Sequence, residues 1–386
     1  MSDRLFTPRF FVMCSFTFTV FLSLFQLLPT APYHVIDLGG STTAAGLFLG
    51  LLTYASALSA PFTGNLGDRV GQRRVLLTVS LVLAGFTTVY AFLGDYRWML
   101  ALVAVHGAVW SALLTSSGAY MTAAIPPSRR AEGLGYWGLA SVTAIAVAPP
   151  FGFWVYQFGW RLLCAEAVAL NLVMAVIAWR LPDDRLLDRE AGEAAGRPAT
   201  PAKLIETRAL GLSIALGLVS FAYGALTSFS AMFADALGVS PRSLFLTAMA
   251  AAIVVARLGL GRRLDAIGHR NALLPAIATA TAGLILLATA RGLVTFAISA
   301  AVFGAGFGLM FPAFAAYMMN HVPSWRRGAA YGAMIAAFDT GIGTGSSTMG
   351  YLIDRIGFRS AFAIAAGLAV LSLPYFLVME KRLGFR

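Results

Sequence analysis

Three ionisable side chains stand inside long apolar stretches of this sequence, where their chemistry permits proton transfer. Asp339 lies near the middle of the stretch 329 to 352 and is followed by Thr340 and a series of glycines, while His106 and Glu166 lie in two earlier stretches. An ionisable group at the centre of a bilayer costs about 2.5 to 3.5 kcal/mol, so each one needs a reason. Uptake and release of a proton is such a reason, and all three are proton-coupling candidates.

Structural interpretations of these and other polar residues remain open. For each of the three candidates the alternative is a hydrogen-bonded packing or interfacial role. Arg257 lies about one turn from the inner end of its apolar stretch, where we expect a long side chain to snorkel to the lipid head groups. Asp37 and Asp235 are interpreted as solvated residues at the outer ends of their stretches, with an extracellular gate as the alternative.

The elements that must position these residues follow from composition. Of 386 residues, 59% are hydrophobic and 12% are charged, against about 25% charged in soluble proteins. The apolar residues form blocks of about 20, the length at which a helix crosses a bilayer, and no period-two alternation typical of barrel strands occurs. The sequence predicts an all-α integral membrane protein with twelve transmembrane helices at 10 to 30, 43 to 63, 75 to 93, 98 to 121, 135 to 157, 161 to 180, 209 to 233, 243 to 260, 272 to 290, 293 to 319, 329 to 352 and 359 to 379.

The net charge of +11 is explained by topology. With both termini on one side, 21 of the 28 Lys and Arg fall on that side and six on the other, with Arg257 inside a span. The positive-inside rule then predicts that both termini are cytoplasmic. The expected partner of the basic surface is membrane lipid, and nucleic acid is not needed to explain the charge.

Several kinds of site are not expected in this chain. The two cysteines, Cys14 and Cys164, both lie in apolar stretches, so neither a disulfide framework nor a thiolate metal site is predicted. The glycine string at 304 to 312 lies inside an apolar span and not between a strand and a helix, so it is not a nucleotide-binding loop. We therefore expect no metal, no cofactor and no enzymatic activity, and a gradient must supply any work.

An internal repeat divides the chain. The polar stretch 181 to 208 is interpreted as a cytoplasmic linker between an N-terminal bundle at 1 to 180 and a C-terminal bundle at 209 to 386. GNLGDRVGQR at 64 to 73 aligns with GRRLDAIGHR at 261 to 270, and PPSRR at 126 to 130 aligns with PSWRR at 323 to 327, both at an offset of 197. A third pair, at 152 to 161 and 350 to 359, matches at 198. The sequence predicts two pseudo-symmetric six-helix bundles with a site at their interface.

The stretch at 64 to 74 is both charged and glycine-rich. Its glycines permit a tight turn between spans 2 and 3, and its aspartate is able to accept hydrogen bonds from an Arg or from the N-terminal amides of another helix. We interpret it as a latch on the inner face, with a plain positive loop as the alternative. The latch residues are Gly64, Gly67, Asp68, Arg69, Gly71, Arg73 and Arg74.

This stretch resembles motif A of the major facilitator superfamily, with Gln72 in place of the first basic residue. The second-half copy retains Gly261, Asp265, Gly268 and Arg270. Resemblance to this family implies two six-helix bundles that rock about a central cavity lined mainly by spans 1, 4, 7 and 10.

A second resemblance concerns the direction of transport. Span 5 approximates motif C of the drug:proton antiporters through Gly135, Ala144, Ala148, Pro149 and Gly152, although close helix packing alone also accounts for these small residues. Span 11 resembles the glycine-rich eleventh helix of a bacterial efflux branch. Span 4 departs from the exporters, because Val103 stands where they carry the Arg of motif B.

The cavity implied by the family has polar and aromatic candidates but no Lys or Arg. An apolar, aromatic or weakly polar small molecule, or a cation bound through ring faces, suits such a lining, and core packing is the alternative for each aromatic residue. The candidates are Gln26, Tyr33, His106, Trp110, Ser111, Thr115, Tyr223, Thr227, Ser228, Phe303, Phe311, Tyr317 and Asn320.

Taken together, these features predict a proton-coupled exporter of a small molecule in a bacterial inner membrane, working by alternating access as a monomer. The latch is expected to bias the outward-open state, with Arg129 or Arg130 as partner of Asp68. An importer or facilitator on the same scaffold is the second interpretation. A membrane receptor derived from a transporter is the third.

Overall fold

The computed structural model describes residues 4–126, 129–182, 207–322 and 327–384, and every regular element in these ranges is a helix. The predicted linker lies almost entirely outside the described residues. The helices are α1 Pro8–Asp37, α2 Thr42–Val70, α3 Gln72–Tyr90, α4 Tyr96–Ala124, α5 Arg130–Tyr156, α6 Trp160–Arg180, α7 Thr207–Ala236, α8 Leu244–Ile267, α9 His269–Ala288, α10 Leu293–His321 and α11 Arg327–Arg382.

The all-helical membrane fold is confirmed. Ten helices in the described ranges are long and apolar enough to cross a bilayer, and α8 contributes a shorter apolar segment, Leu244–Leu260. The last helix, α11, runs for 56 residues but is interrupted at Gly357, where φ is 75° and ψ is 169°. Its first and second segments correspond to predicted spans 11 and 12. The number of twelve spans stays a prediction.

Glycines with positive φ stand between consecutive helical segments at matching places in the two halves. Gly71 ends α2 with φ of 100° and Gly268 ends α8 with φ of 91°, while Gly159 and Gly357 have φ of 112° and 75°. Positive φ is readily adopted only by glycine, so a chain reversal in so little length requires it. These four residues occupy equivalent positions in the aligned repeat.

The prediction that the glycines at 64 and 67 form a turn between spans 2 and 3 is wrong. Helix α2 continues to Val70 and α3 begins at Gln72, which leaves Gly71 alone outside helical geometry. Charged residues mark where a segment reaches water, but they do not end a helix whose backbone hydrogen bonds are already satisfied within it. Gly64 and Gly67 therefore lie in a helix and not in a turn.

Helix packing repeats within the two halves as well. In the first half α3 packs on α4 and α6, and in the second half α9 packs on α10 and on the second segment of α11. Close approaches repeat too, because a Cβ on Gly152 of α5 would lie 2.6 Å from Cβ of Gln26 on α1, while one on Gly217 of α7 would lie 3.1 Å from the carbonyl oxygen of Ala337 on α11. Duplication is thus visible in the packing as well as in the sequence.

Contacts group the chain into two compact units. Unit 1 contains Met1–Leu27 and Ala55–Pro201, and unit 2 contains Leu28–Tyr54 and Ala202–Arg386. The end of α1 and the start of α2 therefore group with the second half of the chain. The bundles at 1 to 180 and 209 to 386 stay a prediction about which parts move together.

Candidate functional site

The first segment of α11 is packed within unit 2 between α7 and the start of α2. A Cβ on Gly345 would collide with the carbonyl oxygen of Phe221 on α7, and a Cβ on Gly350 would collide with that of Thr42 on α2. The missing side chains let three backbones approach closely. The four glycines with such contacts are Gly341, Gly343, Gly345 and Gly350.

Serine hydroxyl groups form hydrogen bonds across this contact between α2, α7 and α11. The Ser346 hydroxyl donates to the carbonyl oxygen of Gly46 at 2.7 Å and accepts from the Ser228 hydroxyl at 2.7 Å. The Ser220 hydroxyl on α7 donates to the carbonyl oxygen of Phe338 at 2.9 Å. These bonds pair neutral polar groups of three helices and so fix how α11 packs here. Ser228, a cavity candidate from the sequence, is therefore engaged in helix packing.

Asp339 follows Phe338 on this segment and is half-buried. Within the described part of the chain its carboxyl group takes part in no hydrogen bond and no ion pair. Thr340 beside it is exposed. The structure therefore places an unpartnered carboxyl group in the middle of a membrane-spanning segment, which packing alone does not explain.

An aromatic cluster lies beside this segment, on α7, α10 and α11. The Tyr223 ring stacks on Phe307 with centroids 4.5 Å apart and planes at 8°, and Phe338 lies 6.1 Å from Phe307. Phe311 meets Phe338 edge-on at 5.1 Å, so it keeps a place beside the stack. Phe303, in contrast, is fully buried, and its backbone lies against Gly283 of α9, which assigns it to packing.

Arg257 on α8 reaches the same neighbourhood. Its Nε donates to the carbonyl oxygen of Gly308, the residue after Phe307, at 3.0 Å. This contact with a glycine carbonyl on α10 was not expected from the sequence, and snorkelling of the side chain to the head groups stays a prediction. Arg257 was absent from the cavity candidates because α8 was not among the spans expected to line it.

Glu166 and Gln26 meet within unit 1. The Gln26 amide nitrogen donates to the Glu166 carboxylate. One turn away, the Ser23 hydroxyl donates to Asn171 at 3.0 Å, and Asn171 donates to the Thr87 hydroxyl at 3.3 Å. Glu166 is therefore joined to α1 by a neutral partner, and Gln26 is fully buried.

His106 lies beside this hydrogen-bonded chain. Its Nδ1 and the Tyr90 hydroxyl share a hydrogen bond of 3.3 Å, and the imidazole is 3% exposed. Ser23, Thr87, Asn171, His106 and Trp110 line a cavity of about 10 Å³. That volume is about the size of one water molecule, so this cavity is too small to be a substrate pocket.

Two polar contacts join helix ends in unit 2. Tyr33 on α1 donates its hydroxyl to Asp235 at 2.7 Å, and Arg242 donates to the other carboxylate oxygen at 2.8 Å. Asp354 on α11 accepts from both the backbone amide and the hydroxyl of Thr43, at 3.1 and 2.9 Å. The solvated interpretation of Asp235 is thus incomplete, since this residue links α1 to the segment after α7.

The motif A residues have separate contacts. Arg73 donates to the carbonyl oxygen of Trp179 at the end of α6, and the Gln72 side chain lies where a Cβ on Gly67 would be. Arg69 and Arg74 are exposed. The side chains of Asp68 and Arg130 lie outside those described, and Arg129 bonds Glu132 at 2.8 Å. The latch stays a prediction.

The second copy of this motif holds an ion pair whose carboxylate is buried and whose guanidinium is partly exposed. Arg270 donates to both carboxylate oxygens of Glu380, at 2.7 and 3.0 Å, and the Tyr317 hydroxyl donates to the same carboxylate at 2.7 Å. Tyr317 is thereby engaged at the end of α11 and not in a cavity. Gly261 and Asp265 lie outside the side chains described.

The remaining candidates are engaged in local bonds or exposed. Thr115 donates to the carbonyl oxygen of Ser111 at 2.9 Å, and Thr227 donates to that of Tyr223 at 2.9 Å. Ser111 shares a hydrogen bond of 3.0 Å with Thr63. Asn320 is exposed.

The motif C-like face is partly a packing surface. Ala144 and Ala148 are fully buried and Gly152 lies against α1, whereas a Cβ on Gly135 would have no neighbour within 4 Å. Pro149 lies inside the helix. Packing accounts for the middle of the motif.

Four residues of these clusters were missed from the sequence. Phe307 lies midway between Phe303 and Phe311 at a spacing of four, which was a readable signal of one helix face. Phe338, Asp354 and Glu380 gave no such signal, because their partners are distant in sequence.

Comparison with known proteins decides the family. The sequence pattern of the Major Facilitator Superfamily matches residues 11–324 and 212–384. The chain belongs to the Major Facilitator Superfamily. It is therefore a multi-pass membrane transporter of a small molecule and not an enzyme, and its environment is lipid.

Relatives of the chain carry the same family assignment. It is 25% identical over 385 residues to the uncharacterized MFS-type transporter YhhS of Escherichia coli K12, covering 95% of this chain and 91% of the relative. An uncharacterized MFS-type transporter of Pseudomonas aeruginosa is 28% identical over 387 residues, covering 95% and 92%.

Solved structures show the same fold. The nucleoside transporter NupG superposes with a TM-score of 0.75 at 17% identity, covering 97% of this chain and all, 100%, of that one. The human organic anion transporter MFSD10 gives 0.72 at 16%, covering 96% and 100%. Similarity at this level of identity shows the superfamily's fold alone.

Proposed function

We propose that this transporter is a proton-coupled exporter of a small molecule, working by alternating access in a bacterial inner membrane with both termini in the cytoplasm. The observation that carries proton coupling is Asp339, the candidate whose carboxyl group has no partner in the described ranges. The other two candidates, Glu166 and His106, are each held by a neutral hydrogen-bond partner.

The position of Asp339 connects its charge to helix packing. It lies one turn before Gly343, where α11 contacts α2, and next to Phe338, where α11 contacts α7. A charged carboxylate favours a hydrated surrounding, whereas its neutral form tolerates a dry one. Exchange of one proton at Asp339 would therefore bias whether this part of α11 lies in water or in a packed interface.

Alternating access is supported by the contacts of the helix ends in unit 2. The carboxylate of Asp354 accepts a hydrogen bond from the backbone amide of Thr43 at the N-terminus of α2. This contact resembles an N-cap in which the capping side chain comes from another helix. The contact of Tyr33 with Asp235 joins α1 to α7 in the same way. If the first-half and second-half bundles move apart at this end, these are the bonds that must break.

A coupling assay compares the wild-type protein with Asp339→Asn in proteoliposomes under an imposed pH gradient. Fluorescent aromatic probes of either charge, ethidium and 2-naphthoate, report transport. We expect the gradient to stimulate wild-type transport and to have no effect on the variant, because asparagine carries no exchangeable charge. Glu166→Gln is the matched control and should retain the stimulation. Equal stimulation of wild type and Asp339→Asn would eliminate Asp339 as the proton carrier.

The gate interpretation is tested by Asp354→Ala. Loss of the cap contact should weaken the closed end by about 0.5 to 2 kcal/mol. A cysteine at Thr53, a buried position of α2 within the packed segment, should then react with a maleimide about 2- to 30-fold faster in a background without native cysteines. An unchanged labelling rate would show that Asp354 does not hold this end closed.

The inner latch is a separate proposal, supported by the motif A resemblance. Asp68→Asn should lower transport while the amount of membrane-inserted protein stays the same. Arg74→Gln is a suitable charge control, because Arg74 is exposed. Transport by Asp68→Asn at the wild-type rate would dispose of the latch.

Export is favoured by the motif C-like face and by the efflux-like α11. The principal alternative is an importer or facilitator, and the structural relatives include transporters named for nucleosides and for organic anions. Vesicles of defined orientation distinguish the two. Probe efflux from the cytoplasmic side supports export, and accumulation on that side supports import. Binding without any movement of solute would favour a receptor.

A further inference from the structure

Arg257 is a cation inside the apolar segment of α8. It lies about one turn before Leu260, where that segment ends, and its side chain is half-buried. A long side chain so placed is able to reach the head groups. Its Nε is held by the carbonyl oxygen of Gly308 at 3.0 Å, on the neighbouring helix α10.

This cation has no counter-ion in the described ranges of the chain. One hydrogen bond from Nε fixes the guanidinium, while its two terminal amino groups form no hydrogen bond and no ion pair there. A desolvated charge without an opposite charge is costly, and the cost is tolerated in membrane spans mainly where the charge serves a function. The terminal donors of a fixed guanidinium match the two oxygens of a carboxylate.

The surface beside Arg257 is planar and aromatic. Phe307, which precedes the Gly308 whose carbonyl oxygen holds Arg257, is stacked on Tyr223 at 4.5 Å, and Phe338 extends the stack at 6.1 Å. Tyr223 and Phe307 are each 8% exposed, so the edge of the stack, and not its whole face, is accessible. Phe311 and Phe338 are half-buried and present more ring surface.

We propose that Arg257 binds the anionic group of the transported molecule, and that the substrate is a planar aromatic organic acid whose ring packs against Phe311 and Phe338. This assignment rests on the proposed transport function and specifies its substrate class. It replaces the expectation that no fixed cation borders the cavity, which followed from considering spans 1, 4, 7 and 10 alone.

The arrangement separates two tasks. Arg257 supplies a permanent charge for the anion, whereas Asp339 supplies a carboxyl group that exchanges a proton. No ion pair joins them in the part of the chain described, so neither cancels the other. Phe338 contacts the stack and immediately precedes Asp339 in sequence. A bound acid that packs against the Phe338 ring would therefore contact α11 beside the Asp339 carboxyl group.

Equilibrium binding tests the proposal without requiring a gradient or net transport. Three isosteric probes are titrated into the purified full-length protein in nanodiscs: 2-naphthoate, the neutral 2-naphthamide and the cationic 2-naphthylmethylammonium. The wild-type protein should bind the acid most tightly. Arg257→Gln should weaken binding of the acid by about 10- to 100-fold and leave binding of the amide unchanged, as expected for loss of a charge-assisted hydrogen bond.

Two further variants make the result specific. Arg291→Gln removes one exposed charge from the same half of the chain and should leave all three affinities unchanged. Arg257→Lys retains the charge without the planar pair of donors and should weaken acid binding by about 3- to 10-fold. If Arg257→Gln does not fold, the lysine variant decides.

Several outcomes would overturn the assignment. These are equal binding of acid and amide by the wild-type protein, no measurable binding of the acid, and an affinity for the acid that is undiminished in the folded Arg257 variants. Each leaves proton coupling at Asp339 untouched. Conversely, an acid preference that depends on Arg257, together with transport indifferent to a pH gradient, would retain this inference and refute the coupling.

Discussion

Removal of the Glu380 side chain should destabilise the second half of the protein more than any loss of a neutral hydrogen bond. Glu380→Ala removes two bonds from Arg270, at 2.7 and 3.0 Å, and one from the Tyr317 hydroxyl at 2.7 Å. Glu380 is 1% exposed and Arg270 is 29% exposed at the side chain. The perturbation therefore leaves a buried phenol without its acceptor and an arginine that water reaches only in part.

The expected size follows from these exposures. Breaking a fully buried ion pair costs about 3 to 5 kcal/mol, whereas exposed pairs contribute about 0 to 1 kcal/mol. Because Arg270 is partly hydrated, we expect an intermediate loss of about 2 to 3 kcal/mol in the free energy of unfolding. A double-mutant cycle with Arg270→Ala should assign about half or more of that loss to the pair itself.

The first half of the chain offers a matched control. Tyr120, equivalent to Tyr317 in the repeat, donates to the neutral carbonyl oxygen of Pro182 at 3.1 Å. Tyr120→Phe should cost about 0.5 to 1.5 kcal/mol, and Tyr317→Phe should cost about 1.5 to 3 kcal/mol, since a charged acceptor forms the stronger bond. Titration of purified protein in mixed micelles with dodecyl sulfate, followed by circular dichroism, measures these differences.

The prediction has a definite failing result. If Glu380→Ala lowers the free energy of unfolding by less than 1 kcal/mol, or if Tyr317→Phe costs no more than Tyr120→Phe, then the carboxylate does not stabilise this end of the fold. The reasoning from burial would then be wrong.

Two other predictions concern glycines. Gly345→Ala should destabilise the fold by about 1 to 3 kcal/mol, because the added methyl group would push α11 away from α7. Gly367→Ala on the same helix is the control, since a Cβ there has no neighbour within 4 Å, and it should change stability by less than about 0.5 kcal/mol. Unfolding titrations of both variants measure the difference. Gly71→Ala and Gly268→Ala should each cost about 1 to 2 kcal/mol, because their φ values are 100° and 91°, and unequal losses in the same titration would contradict their structural equivalence.

The sequence predicted the membrane fold and the helix-breaking positions well, because these depend on local properties. Apolar blocks of bilayer length require helices whatever they pack against. Gly71 and Gly268 were marked by the aligned repeat, and their positive φ is a property of the residue itself. The predicted end of α2 was wrong, because the charges that mark the membrane surface do not break a helix.

The candidate site was less predictable, because helix rotation and distant partners decide it. Tyr317 lies on a span expected to line the cavity, but its partner Glu380 is 63 residues away and could not be paired from sequence. The contact of Arg257 with the carbonyl oxygen of Gly308 could not be predicted from the sequence, because it depends on how closely α8 and α10 approach. Asp339 was predicted from chemistry alone, and its surroundings in the described structure leave that interpretation intact.

The one-residue junctions at Gly71, Gly268 and Gly357 have a practical consequence for studies of this transporter. A hairpin of two helices joined by a single residue has almost no loop to which an antibody or nanobody could bind. An epitope inserted there would separate helices that must stay adjacent. Binding reagents for imaging or trapping this protein should therefore be selected against the blunt ends of several helices at once, and not against linear peptides.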